Sequence, residues 1–299
     1  MNTMNKLDRR SFIESSIAAT ILSSLPAAFA RPAQQLDRIG VQLYTVRDLM
    51  KSDPSGTLAK VAAAGYTEVE FPGYFNLSPK DVRAAIDNAG LTSPSNHIEY
   101  KIVTNSFPQA LEAAHTIGHK FLVNPWIDVE IRNHPDGWKQ AAEAFNRAGE
   151  AAKKAGIQFA YHNHWFEFKP LSDGTIPYDF LLKACDRHLV AMELDLCWIN
   201  VAGSDPLKYF DRHPGRFPLV HVKDVKKLPK PSPAEGATMD FPQILPDMTE
   251  VGSGVIDWKR IFAQSGKAGI QHYFVEHDKP ADPIASIQQS FRYLSALRF

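Results

Sequence analysis

The nine-residue segment AYHNHWFEF, residues 160–168, places His162, His164 and Glu167 within an otherwise hydrophobic stretch. Imidazole nitrogens bind zinc, manganese, iron and cobalt, and carboxylate oxygens extend the choice to magnesium. A single histidine at the end of a strand is more often a hydrogen-bonded structural residue than a ligand. A metal site is therefore predicted only if other segments supply similar groups at a matching position.

Three later segments supply such groups, each near the end of an apolar run. Each run has one ligand-type residue at about its fourth or fifth position, which predicts a common height. Together with the first segment, these residues are His162, Asp195, His221 and Glu276. The residue two positions from each of these four lies on the same face of its strand, one layer away in the barrel. These neighbouring residues are His164, Glu193, Lys223 and Asp278. Four ligand residues at one level predict a divalent metal ion, Mn, Zn, Co, Fe or Mg, as the cofactor.

The elements that must position these residues are eight predicted strands separated by amphipathic helices. The strands are expected at residues 38–46, 66–71, 91–98, 120–126, 157–164, 189–196, 217–224 and 272–278. Strict alternation of strand and helix predicts a parallel sheet, and eight repeats in about 260 residues match an α/β protein of the (β/α)8 TIM barrel class. A doubly wound open sheet is the alternative, but the glycine-rich phosphate loop expected after its first strand is absent.

Local chemistry marks the ends of several predicted helices. Ser78 suits the N-cap of a helix that ends at Gly90, and Gly156 and Gly269 end two others. The proline-rich interval 225–256 lacks helical periodicity and indicates a lid or a disordered excursion. In a TIM barrel this interval, which follows the seventh strand, would lie on the face that carries the active site.

The first thirty residues differ in character from the rest. Arg9 and Arg10 precede a modestly apolar run that ends in the small-x-small pattern of Ala28 to Ala30. This arrangement resembles a twin-arginine export signal, so we predict a signal peptide at residues 1–30, a barrel domain at 31–299 and a periplasmic location. A basic amphipathic helix is the alternative interpretation of the same segment.

Composition narrows the possible partners. The chain has 299 residues with 33 basic and 33 acidic side chains, and this neutrality argues against nucleic acid or an anionic membrane as partner. No stretch is long and apolar enough to keep the mature form in a membrane. The only two cysteines, Cys185 and Cys197, are expected in the core. A small-molecule ligand is favoured, and a homo-oligomer is left open.

Five motifs, YHNHWFEF, ELDLCW, HVKD, VGSGVIDW and FVEHD, resemble in order and spacing those of the xylose isomerase-like TIM barrels, the sugar phosphate isomerase/epimerase superfamily. The resemblance covers nearly all of residues 38–299. It implies a carbohydrate substrate and one metal ion held by residues of the last four strands. Those residues are His162, Asp195, His221 and Glu276.

The chain departs from the family pattern on the fifth strand. In the epimerases of this superfamily a fifth-strand glutamate pairs with the eighth-strand glutamate, and the two exchange a proton across the sugar. Here that position holds His162. Glu167 is the alternative ligand, although it lies beyond the strand end. Without the glutamate pair, elimination next to a carbonyl, which needs one base and one acid, is favoured over two-face epimerisation.

The resemblance also implies a reaction class. A bound metal ion would stabilise the enediolate that forms when the proton next to a carbonyl leaves. Exported relatives with the histidine-asparagine-histidine motif imply a keto-sugar, keto-glycoside or polyol substrate and a lyase or hydratase outcome, with plain isomerisation or epimerisation as the alternative. A sugar-binding protein without turnover and a phosphodiesterase are alternatives of other classes, and neutral charge argues against the latter.

Four further residues are candidates for catalysis. His164 and Lys223 are the expected acid and base, since both lie one layer from the predicted ligands. Glu70 and His97 end the second and third strands and are expected to bind substrate hydroxyls or move a proton. A structural role is the alternative for Glu70 and His97, and a salt bridge is the alternative for Lys223.

Overall fold

The structure is a computed structural model that describes residues 34–134, 136–229 and 241–299. Residues 34–299 form one compact unit. The predicted signal peptide, residues 1–30, lies outside the described residues, so export stays a prediction. Among the described helices, none combines the length and the apolar character needed to cross a bilayer.

Eight parallel strands close into a barrel, in which the first strand pairs with both the second and the last. The barrel strands are β1 (Gly40–Gln42), β2 (Glu68–Phe71), β3 (Thr92–His97), β4 (Phe121–Asn124), β5 (Gln158–His162), β6 (Val190–Asp195), β7 (Leu219–Val222) and β10 (His272–Val275). Two further strands, β8 (Asp224–Val225) and β9 (Met248–Thr249), form a separate antiparallel pair. All eight barrel strands lie inside predicted segments. The TIM barrel is therefore confirmed, and its closure excludes the open doubly wound sheet.

Helices surround the barrel and fill the intervals between strands. In the described part of the chain they are α1 (Arg47–Ser52), α2 (Pro54–Ala63), α3 (Pro79–Asn88), α4 (Tyr100–Asn105), α5 (Phe107–Ile117), α6 (Val129–Arg132), α7 (Gly137–Lys154), α8 (Pro177–Ala184), α9 (Leu196–Val201), α10 (Pro206–Arg212), α11 (Phe241–Ile244), α12 (Trp258–Phe262), α13 (Ser265–Ala268) and α14 (Pro283–Ala296). Short 3-10 helices lie at Leu43–Val46, Phe166–Phe168 and Leu245–Asp247.

The predicted helix ends have the expected chemistry. The Ser78 hydroxyl accepts a hydrogen bond from the Asp81 backbone N–H at 3.2 Å and so caps α3. Gly269 follows α13 in a left-handed conformation with φ of 82°. A Cβ at Gly269 would lie only 2.8 Å from the Gly215 Cα, so both the turn and the close approach of the two chain segments require glycine here.

Alternation along β5 explains how the sequence directs its histidine into the barrel. Phe159 and Tyr161 point outward and pack against Phe145 of α7, with ring centroids 5.4 and 5.2 Å away. Ala160 belongs to a second apolar group, with residues such as Phe121 and Leu219 of neighbouring strands. Because side chains alternate, His162 points to the inner side with Ala160.

The interval after β7 is more regular than its sequence indicates. Residues 241–249 form α11, a 3-10 turn and β9, while residues 230–240 lie outside the described part. Asp224 fixes the returning chain, since its carboxylate accepts hydrogen bonds from the backbone N–H of Gly252 at 2.9 Å and from the Trp258 indole N–H at 3.0 Å. Contacts that are distant in sequence, and not a helical pattern, therefore fix this part of the chain. A disordered excursion, one of the two alternatives, is therefore wrong for residues 241–249.

Candidate active site

A cavity of about 420 Å³ lies at the carboxyl ends of the barrel strands, where TIM barrels carry their active sites. Part of its lining is aromatic or apolar: Tyr44, Pro72, Pro125, Trp126 and Trp165. The rest consists of ionisable groups: His97, His162, His164, Lys223, Glu276 and Asp278. Three predicted catalytic residues and two predicted metal ligands therefore face one space.

Four side chains at the base of the cavity form a group that we call the histidine cluster. It consists of His97, His162, Glu193 and His221, whose ligand atoms all lie within 4.8 Å of one another. Glu193 Oε2 is the common contact, at 2.8 Å from His97 Nε2 and 3.1 Å from His162 Nδ1. His221 Nε2 lies 3.3 Å from the same oxygen. The strand register accounts for this contact because His162 of β5 pairs with Glu193 of β6.

A second group, which we call the carboxylate cluster, consists of Asp195, His221 and Glu276. Asp195 pairs with His221 across β6 and β7, and His221 Nδ1 lies 2.7 Å from Glu276 Oε2. His162 reaches this cluster from the side, with its Nε2 3.9 Å from Asp195 Oδ2. The structure thus brings the four predicted ligands together in two groups that share His221.

The two carboxylate oxygens of Asp195 have different partners. Its Oδ1 accepts hydrogen bonds from the backbone N–H groups of Cys197 at 2.9 Å and Trp198 at 2.8 Å, so it caps the start of α9. Its Oδ2 is buried and faces the Lys223 ammonium at 3.2 Å. The ELDLCW motif therefore directs one carboxylate oxygen toward the cationic group of the cavity.

Lys223 lies among the carboxylates of the cavity. Its Nζ is 2.8 Å from Glu276 Oε2, 3.2 Å from Asp195 Oδ2 and 3.3 Å from Asp278 Oδ1. Burial opposes both charges, but the attraction between Lys223 and its carboxylate neighbours outweighs burial. The pKa of Lys223 is therefore held well above its usual value, and the pKa of Glu276 is held below its usual value. Lys223 is accordingly an ammonium ion.

Asp278 and Glu193 are the carboxyl groups that titrate nearest neutral pH in the cavity region. Burial raises the pKa of Asp278 to about 6, although Lys223 acts in the opposite direction. Burial and then the charge of Glu70 raise the pKa of Glu193 to about 7. Each of the two can therefore carry a proton in part of the population at working pH.

The histidines divide into two kinds. Burial, followed by the positive charge of Lys223, lowers the pKa of His164 well below its usual value. Burial and repulsion from His221 do the same for His162. At His97 the effect of burial is outweighed by Glu70 and Glu193, which raise its pKa to about 9. His162 and His164 are therefore neutral imidazoles, the form that can bind a metal or accept a proton.

His164 lies in an aromatic setting beside the clusters. Its ring stacks on Phe166 at a centroid distance of 5.7 Å and meets the edge of Trp126 at 5.2 Å. Its Nδ1 is buried and has no hydrogen-bond partner among the described residues. The aromatic contacts orient the ring, which lines the cavity.

Glu167, the alternative ligand, lies outside both clusters. The 3-10 turn at Phe166–Phe168 directs its carboxylate away from the barrel interior, where Oε1 accepts from the Tyr161 hydroxyl at 2.6 Å. Oε2 accepts from the His164 backbone N–H at 2.9 Å. Glu167 therefore fixes the segment that carries His164.

Glu70 does not line the cavity, contrary to the expectation that it contacts substrate. Its side chain is fully buried and accepts hydrogen bonds from Gln42 Nε2 at 2.8 Å and from the Ser95 hydroxyl. Its Oε2 lies 2.7 Å from His221 Nε2. The carboxylate is turned inward because these three partners lie within the barrel. Sequence reasoning missed Gln42 and Ser95, which no local pattern marks, and it placed Glu193 one layer away from the ligands that it contacts.

The residues present fit a divalent metal ion. Imidazole nitrogens and carboxylate oxygens together are the donors that transition metals take in proteins. Glu193 Oε1 is buried without a hydrogen-bond partner among the described residues, and Asp195 Oδ2 is paired with the Lys223 ammonium at 3.2 Å. A buried ionised oxygen is unfavourable unless it is paired or binds a cation.

Comparison with known proteins places this geometry in a family context. The sequence model of the xylose isomerase-like TIM barrel family matches residues 58–297. An inosose dehydratase of Geobacillus thermodenitrificans is 24% identical over 254 residues, which cover 77% of this chain and 83% of that protein.

Two solved structures are also similar. A sugar phosphate isomerase/epimerase from Parabacteroides distasonis is 25% identical with a TM-score of 0.72, over 87% of this chain and 98% of that chain. A structure described as the IOLI protein with a binding zinc atom is 16% identical with a TM-score of 0.65, over 85% and 95% of the two chains. The second likeness is one of fold.

Proposed function

The chain belongs to the xylose isomerase-like TIM barrel family, and we propose that this enzyme is a metal-dependent lyase. The substrate is a keto-sugar, keto-glycoside or keto-polyol. The enzyme removes the proton next to the carbonyl and expels the oxygen substituent on the following carbon. The relatives named inosose dehydratase support an elimination, since loss of water is a reaction of this kind.

One observation carries the proposal: the cavity is lined by the neutral imidazole of His164 together with the ammonium of Lys223. His162 stands where the epimerases of the superfamily have their second glutamate. An elimination needs one base and one acid, whereas a two-face epimerisation needs two matched bases. The groups present therefore favour elimination.

The metal ion would be held by the ligand set expected from the sequence: His162, Asp195, His221 and Glu276. When bound, it supplies Lewis acidity that stabilises negative charge on the substrate carbonyl oxygen. The zinc atom in the structure of the IOLI protein supports a cation in this fold.

Each side chain then has a defined part in the reaction. The imidazole of His164 accepts the proton from the α carbon, and the electron pair of that C–H bond forms the new double bond as the β C–O bond breaks. Lys223 stays protonated and stabilises oxyanion charge electrostatically. Asp278, with a pKa of about 6, is the group suited to protonate the departing oxygen.

The aromatic part of the lining orients the substrate. Tyr44, Trp126 and Trp165 line the same cavity as the ionisable groups. Flat aromatic faces pack well against the C–H faces of a sugar ring, and they exclude water from the reacting carbons.

The test is incubation of the metal-loaded protein with a panel of keto-sugars and keto-glycosides in deuterated water. We expect the release of water or an aglycone and the formation of an unsaturated ketone. NMR spectroscopy detects both products. Solvent deuterium at the α carbon with the skeleton retained would instead identify an isomerase or epimerase. If no member of the panel undergoes either deuterium exchange or elimination, the protein is a sugar-binding protein without turnover.

We also propose that the enzyme acts in the periplasm, on the basis of the Arg9-Arg10 pair and the small-x-small pattern ending at Ala30. Replacement of both arginines by lysine is expected to retain the protein in the cytoplasm. Fractionation of the producing cells measures this, and unchanged export would overturn the proposal.

A further inference from the structure

We propose that Glu193 and Glu70 are positioning residues, which decide the ring nitrogen that His162 and His221 present to the metal ion. The inference rests on the proposed function for the presence of a metal. It assigns roles to two buried carboxylates that do not line the cavity.

His162 faces the two clusters with different nitrogens. Its Nδ1 is 3.1 Å from Glu193 Oε2, while its Nε2 is 3.9 Å from Asp195 Oδ2. A neutral imidazole has one N–H donor and one lone-pair nitrogen. When Nδ1–H donates to the Glu193 carboxylate, the lone pair of Nε2 faces Asp195. Glu193 therefore sets the tautomer that exposes Nε2 to the carboxylate cluster.

His221 is oriented in the opposite sense. Its Nε2 lies 2.7 Å from Glu70 Oε2, and its Nδ1 lies 2.7 Å from Glu276 Oε2. Because a carboxylate oxygen accepts at each nitrogen, both nitrogens carry a proton before a metal ion binds. Loss of the Nδ1 proton on metal binding leaves Nε2–H donating to Glu70 and the lone pair of Nδ1 facing the carboxylate cluster. The two histidines thus offer opposite nitrogens to one place, and each has its own carboxylate behind it.

His97 joins the two carboxylates and gives the arrangement its rigidity. Its Nε2 is 2.8 Å from Glu193 Oε2 and 3.1 Å from Glu70 Oε2. Its ring stacks on His221 at a centroid distance of 5.4 Å and an angle of 9°. Because its near nitrogen is shared by two carboxylates, His97 holds Glu193 and Glu70 in place and does not act as a ligand.

The opposite end of the barrel provides a matched control. Glu68 lies two residues before Glu70 on β2, is also buried, and contacts His272 Nδ1 at 2.8 Å. A glutamate-to-glutamine change there removes the same charge from the same kind of pair. It does so without touching either cluster.

The experiment compares Glu193→Gln, Glu70→Gln and Glu68→Gln with the wild-type protein. Zinc affinity is measured by competition with a chromophoric chelator, and thermal unfolding confirms that each variant is folded. Loss of a carboxylate behind a metal-bound histidine typically lowers metal affinity about 10–100-fold. We expect this loss for Glu193→Gln and Glu70→Gln, one bound zinc in each, and wild-type affinity for Glu68→Gln.

Nitrogen-15 NMR of the histidine rings gives a second readout that does not depend on turnover. In the zinc-loaded wild-type chain we expect His162 to keep its Nδ1 proton and His221 its Nε2 proton, with the zinc-induced shift on the other nitrogen of each ring. Glu193→Gln should perturb the His162 resonances and Glu70→Gln those of His221. If a variant fails to fold, the wild-type assignment still decides the tautomers.

Three results would overturn the inference. The first is wild-type zinc affinity in both Glu193→Gln and Glu70→Gln. The second is zinc bound through the same nitrogen of both histidines. The third is complete loss of zinc from His97→Gln with retention in Asp195→Asn, which would make the histidine cluster itself the metal site. If the zinc and NMR results are as expected but the protein catalyses no elimination, only the proposed function is refuted.

Discussion

The two ends of the barrel interior both contain buried glutamate–histidine pairs, yet they differ in their neighbours. At the amino end, Glu68 contacts His272 at 2.8 Å and lies 3.7 Å from the Arg38 guanidinium. At the carboxyl end, Glu193 lies within 3.3 Å of three imidazoles, beside the carboxylates that surround Lys223. The first pair is a closed contact, whereas the second belongs to an extended network next to a cavity.

This difference shows that the pair alone does not identify a site. Glu68 and Glu70 lie on the same strand and are equally buried, but only Glu70 contacts a histidine that also faces other carboxylates. Charges that are paired one to one stabilise a fold modestly. Shared partners and an available cavity are what turn the same residue types into a candidate active site.

The largest expected effect separates the two ends by activity. His164→Gln removes the proposed base and should lower kcat/KM for the eliminated substrate by about 10²–10⁴-fold. His272→Gln, at the closed end, should leave kcat/KM unchanged. Steady-state kinetics of both variants measure this difference. Equal losses of kcat/KM in the two variants would show that the two ends do not differ in their role in the reaction.

The pH dependence of the unfolding free energy tests a carboxyl group that is buried but lies outside both clusters. Burial raises the pKa of Glu167, which lies outside both clusters, from 4.5 to about 7. The folded chain therefore holds this proton more tightly than the unfolded chain. Its contribution to stability is complete below about pH 4.5 and is lost as pH rises through about 7.

The variant Glu167→Gln should remove that part of the pH dependence. The difference in unfolding free energy between wild type and variant should change by about 3 kcal/mol between pH 4.5 and 8, at roughly 1.4 kcal/mol per pKa unit. Urea unfolding at several pH values measures it. A pH-independent difference would show that Glu167 titrates normally.

Removal of the metal ion tests whether the cation stabilises the fold by binding at the carboxyl end of the barrel. A ligand at about 100 times its Kd stabilises a protein by about 2.7 kcal/mol. Chelation should therefore lower Tm by roughly 5–10 °C for a domain of this size. His272→Gln should keep this metal-dependent shift, and His221→Gln should lose it. A shift that survives in His221→Gln would place the cation elsewhere.

The smallest effect is expected at the closed end itself. In Glu68→Gln the amide oxygen still accepts from His272, so only the charged part of the hydrogen bond is lost. The unfolding free energy should fall by about 1 kcal/mol, with kcat/KM unchanged. Denaturant unfolding and kinetics on the same preparation measure both quantities. A large loss of activity would show that the two ends are coupled.

Much of the fold could be predicted because its signals are local. All eight barrel strands lie inside segments predicted as strands, and residues such as Ser78 and Gly269 marked helix ends through capping and left-handed turns. The segment from Phe241 to Thr249 was not predicted as ordered. Its order comes from pairing with β8 and from Asp224, which are contacts distant in sequence.

For the candidate site, the sequence by itself determined which residue types end each strand and hence that imidazoles, carboxylates and one lysine would meet at the carboxyl end of a barrel. Only the tertiary structure decided which atoms face each other. It joined Glu193 to three histidines, turned Glu167 toward Tyr161 and buried Glu70 behind His221. The physical reason is that strand periodicity fixes the face of a side chain locally. Register, barrel closure and hydrogen bonding across distant strands fix its partner.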